Sequence, residues 1–331
     1  MDKLISFKEK IFIAGANGLA GRAIYRSFKN KGYGSKEEGG LILTPNRKEL
    51  DLLSFESVNS WFVKNKPSIV VIAAAKVGGI LANSLQPADF ILENLKIQTN
   101  VIEASWRNGV RRLLFLGSSC IYPKYSKQPI KEEYLLQGPL ESTNEAYALA
   151  KISGLKLCES LRKQYQFDAI SLMPTNLFGF GDNYDVNNSH VMAALIKRFC
   201  NAKTKSLDEV TCWGSGKPLR EFLYVDDLGE AVVFALEKWD PNLNSSPCDN
   251  NGNPLLHLNV GTGKEISIKK LAELISKLCG YEGKIIWDHS KPDGTPQKLL
   301  NIEKISQLGW EPKTSLENGI KKTIYFYLKS K

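Results

Sequence analysis

Tyr147 and Lys151 stand four residues apart in Asn144-Glu145-Ala146-Tyr147-Ala148-Leu149-Ala150-Lys151, and an earlier string, Gly117-Ser118-Ser119-Cys120-Ile121-Tyr122, supplies a serine. Ser142-Thr143-Asn144-Glu145 reads as a capping box, which predicts a helix starting here and carrying both side chains. At i and i+4 they share one helical face. An ammonium beside a phenol favours the phenolate, so Lys151 is expected to lower the Tyr147 pKa and suit it to proton transfer. Ser118 follows an apolar strand, Leu113 to Leu116, and is placed to hydrogen-bond the same substrate oxygen. Tyr-x-x-x-Lys is also an ordinary amphipathic turn. Its meaning rests on the elements around it.

The first of those elements is a strand, Lys10-Ile11-Phe12-Ile13-Ala14, running into Gly15-Ala16-Asn17-Gly18-Leu19-Ala20-Gly21 and then a helical pattern from Arg22. Strand, glycine turn and helix in that order predict a dinucleotide site, with a pyrophosphate at the helix N-terminus. The spacing is G-x-x-G-x-x-G. An NAD site carries an acid at the end of the second strand to hold the ribose hydroxyls. Here Leu41-Ile42-Leu43-Thr44 is followed by Pro45-Asn46-Arg47-Lys48, with no acid before Glu49. Arg47 is placed to hold a 2′-phosphate, which favours NADP over NAD.

The pattern continues with a helix from Ser54 to Asn65, a strand from Ser68 to Ala73 and the small-residue turn Ala74-Ala75-Lys76-Val77-Gly78-Gly79-Ile80. A helix from Pro87 to Asn108 and the Leu113 strand follow, then the Tyr147 helix and a strand from Asp168 to Leu172 ending at Met173-Pro174-Thr175-Asn176-Leu177. This alternation predicts an α/β fold, a Rossmann-type doubly wound parallel sheet. It breaks down after residue 181, and a smaller C-terminal α/β substrate domain is expected over 182–331. Stretches near 221–238 and 255–261 read as returns to the cofactor domain, 1–181.

Of 331 residues, 43% are hydrophobic and 24% charged, the composition of an ordinary globular protein. No apolar run reaches the roughly 18 residues of a membrane span, and the N-terminus has no signal-peptide architecture. Six scattered cysteines without a C-x-x-C pair point to free thiols in the cytoplasm, and three histidines without metal-like spacing argue against a metal. The net charge of +9 fits a nucleotide partner or a solvated basic surface. No basic tract with interleaved aromatics marks a nucleic-acid groove.

Together these motifs resemble the extended short-chain dehydrogenase/reductases. Longer strings are more specific: Ala74 to Ile80, Gly117 to Pro123, Asn188-Ser189-His190-Val191, Arg220-Glu221-Phe222-Leu223 and Lys291-Pro292-Asp293-Gly294-Thr295-Pro296. Over nearly the whole chain, about Lys10 to about Tyr327, the sequence is similar to the NADPH-dependent 3,5-epimerase/4-reductases of GDP-4-keto-6-deoxy-D-mannose. The resemblance implies that Ser118, Tyr147 and Lys151 serve reduction, with Tyr147 the proton donor and Lys151 on the nicotinamide ribose. It implies that Cys120 and His190 serve epimerisation as base and acid. By residue type alone, Cys120 reads as a small core residue and His190 as a polar group opening a helix.

Carried over in the same way, NADP(H) contacts fall on Gly15, Asn17, Gly18, Leu19, Gly21, Arg47, Asp51, Leu52, Leu116, Gly117, Lys151, Pro174, Asn176, Leu177 and His190. Contacts to a GDP-sugar fall on Ser118, Asn176, Arg198, Trp213, Arg220, Asp293 and Lys298. Ala16-Asn17 replaces a His-Arg pair of well-known members, so a cofactor contact made by that arginine is missing here. The resemblance further implies a homodimer through two long helices, Pro87 to Asn108 and Asn144 to Gln164.

The nearest rivals are other nucleotide-sugar enzymes of the same fold. A 4-epimerase needs no separate acid/base pair. A 4,6-dehydratase carries an acid beside its serine, where this chain has Ser119 and Cys120. A reductase of a related keto-deoxy sugar is hard to separate by sequence. A non-catalytic NADP-binding sensor would typically have lost Tyr147 or Lys151.

Overall fold

The computed structural model describes residues 3–185, 189–291 and 293–329. Its first half alternates strand and helix: β1 (Lys10–Ala14), α1 (Leu19–Asn30), β2 (Leu41–Leu43), α2 (Phe55–Asn65), β3 (Ile69–Ile72), α3 (Ile80–Leu85), α4 (Pro87–Arg107), β4 (Arg112–Leu116), α5 (Glu145–Tyr165) and β5 (Ala169–Pro174). The remainder holds β6 (Asn176–Phe178), α6 (Val191–Thr204), β7 (Glu209–Trp213), β8 (Leu219–Tyr224), α7 (Val225–Lys238), β9 (His257–Val260), β10 (Glu265–Ser267), α8 (Ile268–Cys279), β11 (Lys284–Asp288), β12 (Gln297–Lys298), α9 (Glu303–Gln307) and α10 (Leu316–Lys329).

Six parallel strands form the main sheet in the order β2-β1-β3-β4-β5-β9. Every residue of β3, β4 and β5 is buried, because helices cover both faces of the sheet. Alternate residues separate the two cores. Ile11, Ile13, Val71, Leu114 and Leu172 pack with α1 and α7 through Ile24, Phe28, Leu228 and Val232. Phe12, Val70, Leu113, Phe115 and Met173 pack with α2, α4 and α5 through Phe62, Val101 and Leu155. All six carboxyl ends reach one edge, and the strand order reverses at β1. That is where open α/β sheets bind their ligands.

The second cluster is built around β8. This strand pairs with β6, β10 and β12, while β7 pairs with β11. Helices α6, α8 and α10 close over Phe178, Phe199, Phe222, Tyr224, Leu271 and Ile320. Phe222 to Tyr224 therefore lies outside the main sheet. Within this strand Leu223 faces the first core and its two aromatic neighbours face the second. The return to the main sheet is made by α7, which packs on α1.

Buried Glu221 fixes β8 in place. Its carboxylate accepts from the backbone N–H groups of Thr262 at 2.6 Å, Gly263 at 2.7 Å and Leu300 at 3.0 Å. Burial raises its pKa, and those backbone donors pull it back. Arg220, next in the strand, inherits its position from this anchor.

Candidate active site

The turn between β1 and α1 is shaped by two glycines that can be nothing else. Gly15 has φ +83°, and a Cβ there would lie 2.6 Å from the Ala74 backbone. A Cβ on Gly21 would lie 2.1 Å from the Gly15 carbonyl oxygen. Gly18 differs: a Cβ would meet only an ordinary contact at 3.5 Å. The fold does not require its smallness, and the open side of the turn leaves room for a ligand backbone. Asn17 and Gly18 are exposed and Leu19 half-buried. Helix α1 has no side-chain cap and no acid in its first turn. Its leading N–H groups are thus available to an anion, and the turn fits a dinucleotide pyrophosphate.

Beyond β2, Asn46 organises a tight turn, accepting from Lys48 N at 2.8 Å, and Arg47 projects from it, exposed. Its side chain makes no hydrogen bond or ion pair among the described residues. In the same loop Asp51 accepts from Leu53 N at 2.9 Å, and the Leu52 carbonyl accepts from Asn100 at 2.9 Å. Leu116 ends β4 and Gly117 follows it, where a Cβ would lie 2.2 Å from Met173 Sδ. Pro174 ends β5. Asn176 and Leu177 open β6, with Asn176 Nδ2 donating to the Glu221 carbonyl at 2.8 Å.

The first turns of α5 carry the reducing pair. Lys151 is 3% exposed, and its Nζ donates to the Leu116 carbonyl at 2.8 Å. It lies 4.8 Å from the Phe115 ring centroid and 5.9 Å from that of Tyr147. Burial lowers its pKa to about 7. Burial also raises the Tyr147 phenol, helped by the nearby Cys120, against a hydrogen bond with Ser118 that pulls it down. The expected lowering of the tyrosine by the lysine is thus overturned. Desolvation penalises both charged forms.

The capping box is not formed either. Residues Ser142–Asn144 make a 3-10 turn, and the helix begins at Glu145 with Asn144 as a cap whose side chain caps nothing. Its Nδ2 is diverted to Cys120 Sγ, at 3.4 Å. Half-buried Cys120 lies in a 3-10 turn directly after Ser118, whose Oγ accepts from Cys120 N at 3.2 Å. Lys298 Nζ approaches the same sulfur at 3.7 Å.

Lys298 is opposite Arg220 in the β12–β8 register. Burial lowers the Arg220 pKa, while Cys120, Glu141 and Asp293 favour its charge. Buried Glu141 pairs with Lys124 at 2.9 Å and accepts from Thr295 Oγ1 at 3.3 Å. Asp293 accepts from Ser215 N and Ser215 Oγ, both at 2.7 Å. Its burial pushes the carboxyl up, and those bonds hold it below its ordinary value. Ser215 follows Trp213 closely, so the attraction of Arg220 for Cys120 and Asp293 and the Asp293–Ser215 bonds lead from Cys120 towards Trp213. The Trp213 ring is 50% exposed, with Arg198 Cζ and Lys291 Nζ each 5.5 Å from its centroid. A half-open ring between two cations suits a flat anionic ligand.

His190 is the N-cap of α6 and makes no side-chain cap bond. It is exposed by surface area, yet the surrounding protein lowers its pKa by desolvation. The backbone beside it meets the glycine turn: a Cβ on Gly79 would lie 2.9 Å from the Ser189 carbonyl oxygen. That turn is clamped by Asn94, which accepts from Lys76 N at 2.9 Å and donates to Lys76 O at 3.0 Å. Gly294 closes the link, its Cβ position being 3.3 Å from Ile80 Cδ1 and 3.5 Å from Arg220 Nη2. This route leads from the backbone beside His190 to Arg220, and no hydrogen bond among the described residues joins His190 to Cys120. Asn188 and Pro292, from two of the strings above, lie outside the described residues.

A dinucleotide turn, a Tyr-x-x-x-Lys pair whose lysine is buried and a serine at the same sheet edge define a Rossmann-type oxidoreductase. The chain belongs to the NAD dependent epimerase/dehydratase family, whose model matches residues 11–246. It is 50% identical to GDP-L-fucose synthase 1 of Arabidopsis thaliana, across 97% of this chain and 94% of that protein. It is 48% identical to the GDP-L-fucose synthase of Escherichia coli strain K12, across 98% of each. Among solved structures it is similar to GDP-mannoheptose C4 reductase from Campylobacter jejuni with NADP bound, with TM-score 0.84, 34% identity, and coverage of 98% of this chain and 99% of that one.

Proposed function

We propose that this chain converts GDP-4-keto-6-deoxy-D-mannose into GDP-L-fucose, by 3,5-epimerisation followed by NADPH-dependent reduction of the C4 ketone. The observation that carries the reading is that Cys120, with hydrogen-bond donors of its own, lies against Ser118 of the Tyr147–Lys151 set. Ser118, Tyr147 and Lys151 form one proton-transfer set, and Cys120 with its two donors belongs to the other. Similarity to GDP-L-fucose synthases over nearly their whole length supports the substrate.

The ketone acidifies the hydrogens on C3 and C5, because the electron pair left behind spreads onto the carbonyl oxygen. Cys120 as thiolate takes the proton, and His190 as imidazolium returns one to the opposite face. The lowered His190 pKa suits a group that must give up its proton readily. Bound NADPH supplies the hydride for C4. Tyr147, kept protonated by burial, delivers the proton to the C4 oxygen, and Ser118 orients that oxygen. Lys151 would hold the nicotinamide ribose, the residues of the Gly15–Gly21 turn and α1 would hold the pyrophosphate, and Arg47 would take the 2′-phosphate. Arg198, Arg220 and Lys298 take the GDP diphosphate, Trp213 its flat surface, and Asn176 and Asp293 accept or donate to the sugar and its linkage.

We assign the smaller cluster after residue 181 to substrate binding and the main sheet to the cofactor. The chain acts as a homodimer in the cytoplasm. No described helix is long and apolar enough to cross a membrane. The six thiols are unbridged, including Cys200 and Cys279, whose sulfurs lie 3.4 Å apart.

A second reading, reduction of a related GDP-keto sugar without epimerisation, is favoured by the likeness to the mannoheptose reductase. One experiment separates them. The protein is given GDP-4-keto-6-deoxy-D-mannose and NADPH, nicotinamide oxidation is followed, and the sugar is identified by NMR beside a Cys120→Ser sample. GDP-L-fucose from the wild type and none from the variant supports the first reading. A reduced sugar uninverted at C3 and C5 supports the second.

A further inference from the structure

Asn144 occupies a position where asparagine ordinarily turns its side-chain oxygen onto a backbone N–H of the first helical turn. In this chain it does not. Its Nδ2 points at Cys120 Sγ, 3.4 Å away, and its Oδ1 is buried with no partner among the described residues. Forgoing a helix cap and leaving a buried carbonyl oxygen unpaired both destabilise the fold. The contact with sulfur is kept despite both.

We infer that Asn144 is a positioning residue for proton abstraction, its amide N–H holding the Cys120 sulfur in the thiolate form that takes the substrate proton. This rests on the reading of Cys120 as the epimerisation base. The charged and titratable groups facing the sulfur are Lys298 from β12, Arg220 from β8 and Tyr147 from α5, with Glu141 facing Arg220 in turn. Lys298 and Arg220 are cations that an incoming diphosphate engages, so their support for a thiolate is shared with the ligand. Asn144 has no charge to share, so an incoming diphosphate does not draw its donor away from the thiolate.

In the step itself the C–H bond at C3 or C5 breaks, an S–H bond forms on Cys120, and the electron pair moves to the C4 oxygen. The orphaned Oδ1 then becomes useful. An amide whose oxygen has no other partner can turn over and accept the new S–H, so one side chain serves both protonation states.

Two variants distinguish this role from space-filling. Asn144→Ala removes the donor and the volume. Asn144→Asp keeps the outline and remains a good N-cap, but presents only acceptors to the sulfur. Alkylation of Cys120 by iodoacetamide is followed across pH by peptide mass spectrometry, because the thiolate is the reacting form. In parallel, deuterium uptake at C3 and C5 of GDP-4-keto-6-deoxy-D-mannose is measured in D2O without reductant, with Cys120→Ser as reference. NADPH binding and melting temperature report the fold.

The pH of half-maximal alkylation is expected to rise by about one unit in the alanine variant, with uptake about tenfold slower, and by more in the aspartate variant. NADPH binding is retained in both. An unmoved alkylation profile overturns the inference, as does a larger effect in alanine than in aspartate, the order that lost packing alone produces. A moved profile with unchanged uptake upholds the hydrogen bond and removes Cys120 as the base. Uptake surviving in Cys120→Ser does the same.

Discussion

Lys151 is a lysine amine buried with one carbonyl oxygen as its hydrogen-bond partner, and its chemistry follows from that. With a folded pKa of about 7 against roughly 10.4 in an unfolded chain, the unfolded state holds more protons between those values. Stability conferred by this group therefore rises as pH climbs through that window, and is least where Lys151 is forced to be charged. Lys151→Met removes the dependence. In the cofactor-free protein the variant is expected to gain melting temperature over wild type by a few degrees more at pH 6 than at pH 9, read by calorimetry at both. An equal difference at the two pH values would mean that the amine does not titrate in this window. Tyr147 is the complementary case. Burial keeps its proton on, which is what a donor to the C4 oxygen requires. Tyr147→Phe should slow NADPH oxidation by about 100-fold or more while leaving deuterium uptake at C3 and C5 near wild type. A variant that lost both activities equally would tie the two proton-transfer sets together more closely than their residues suggest.

At the scale of elements, the turn between β1 and α1 separates what the fold needs from what the ligand needs. Gly21→Ala would drive a Cβ to 2.1 Å from the Gly15 carbonyl oxygen, so the strand–helix junction must shift. It is expected to lower the melting temperature and lose NADPH. Gly18→Ala meets only ordinary contact within the protein, so its melting temperature should hold while NADPH affinity falls about tenfold, by fluorescence titration. Equal losses of stability in the two would show that Gly18 also serves the fold. These elements were legible in the sequence because buried parallel strands read as unbroken apolar runs: β1 occupies the stretch expected for it, and the helix expected from Ser54 is α2, with Ser54 as its cap, its side chain accepting from Ser57 N. Less legible was whatever depends on burial or distant partners. The pKa directions of Tyr147 and Lys151 follow from depth, which spacing does not report. The start of α5 was misread because Asn144 answers to Cys120, 24 residues away, instead of to its own helix. Lys298 meets the same sulfur from 178 residues away, and Glu141 meets Thr295 from 154. No local pattern encodes such pairs. Residue type alone left Cys120 and His190 as bland residues, and only the longer strings around them marked them out. The stretch near 221–238, read as a return to the cofactor domain, packs Leu223 of β8 and the residues of α7 on the first core. The aromatic pair of β8 instead faces the second core.

For the whole molecule, the open question with a physical handle is association. Helices α4 and α5, each 21 residues long, pack side by side over one face of the main sheet. Their sheet-side residues are spent on the core. On the outer surface Leu92 remains 53% and Leu149 41% exposed, and neighbouring α3 leaves Leu85 71% exposed. Two such helix pairs related by a two-fold axis would make a four-helix contact in which each chain meets the same surface of the other. The protein is therefore expected to run in light scattering at about 74 kDa, twice the 36.9 kDa of one chain. Leu92→Arg combined with Leu149→Arg places like charges across that axis and should bring the mass to that of a monomer. NADPH should still bind to the separated chain, since the β1–α1 turn lies at the sheet edge and not on the outer face of α4 or α5. Turnover is expected to fall several-fold, because α5 carries Tyr147 and Lys151 and Asn94 on α4 clamps the Lys76 backbone. A monomeric wild type would remove the interface. A dimer that survives both arginines would move it to another face of the molecule.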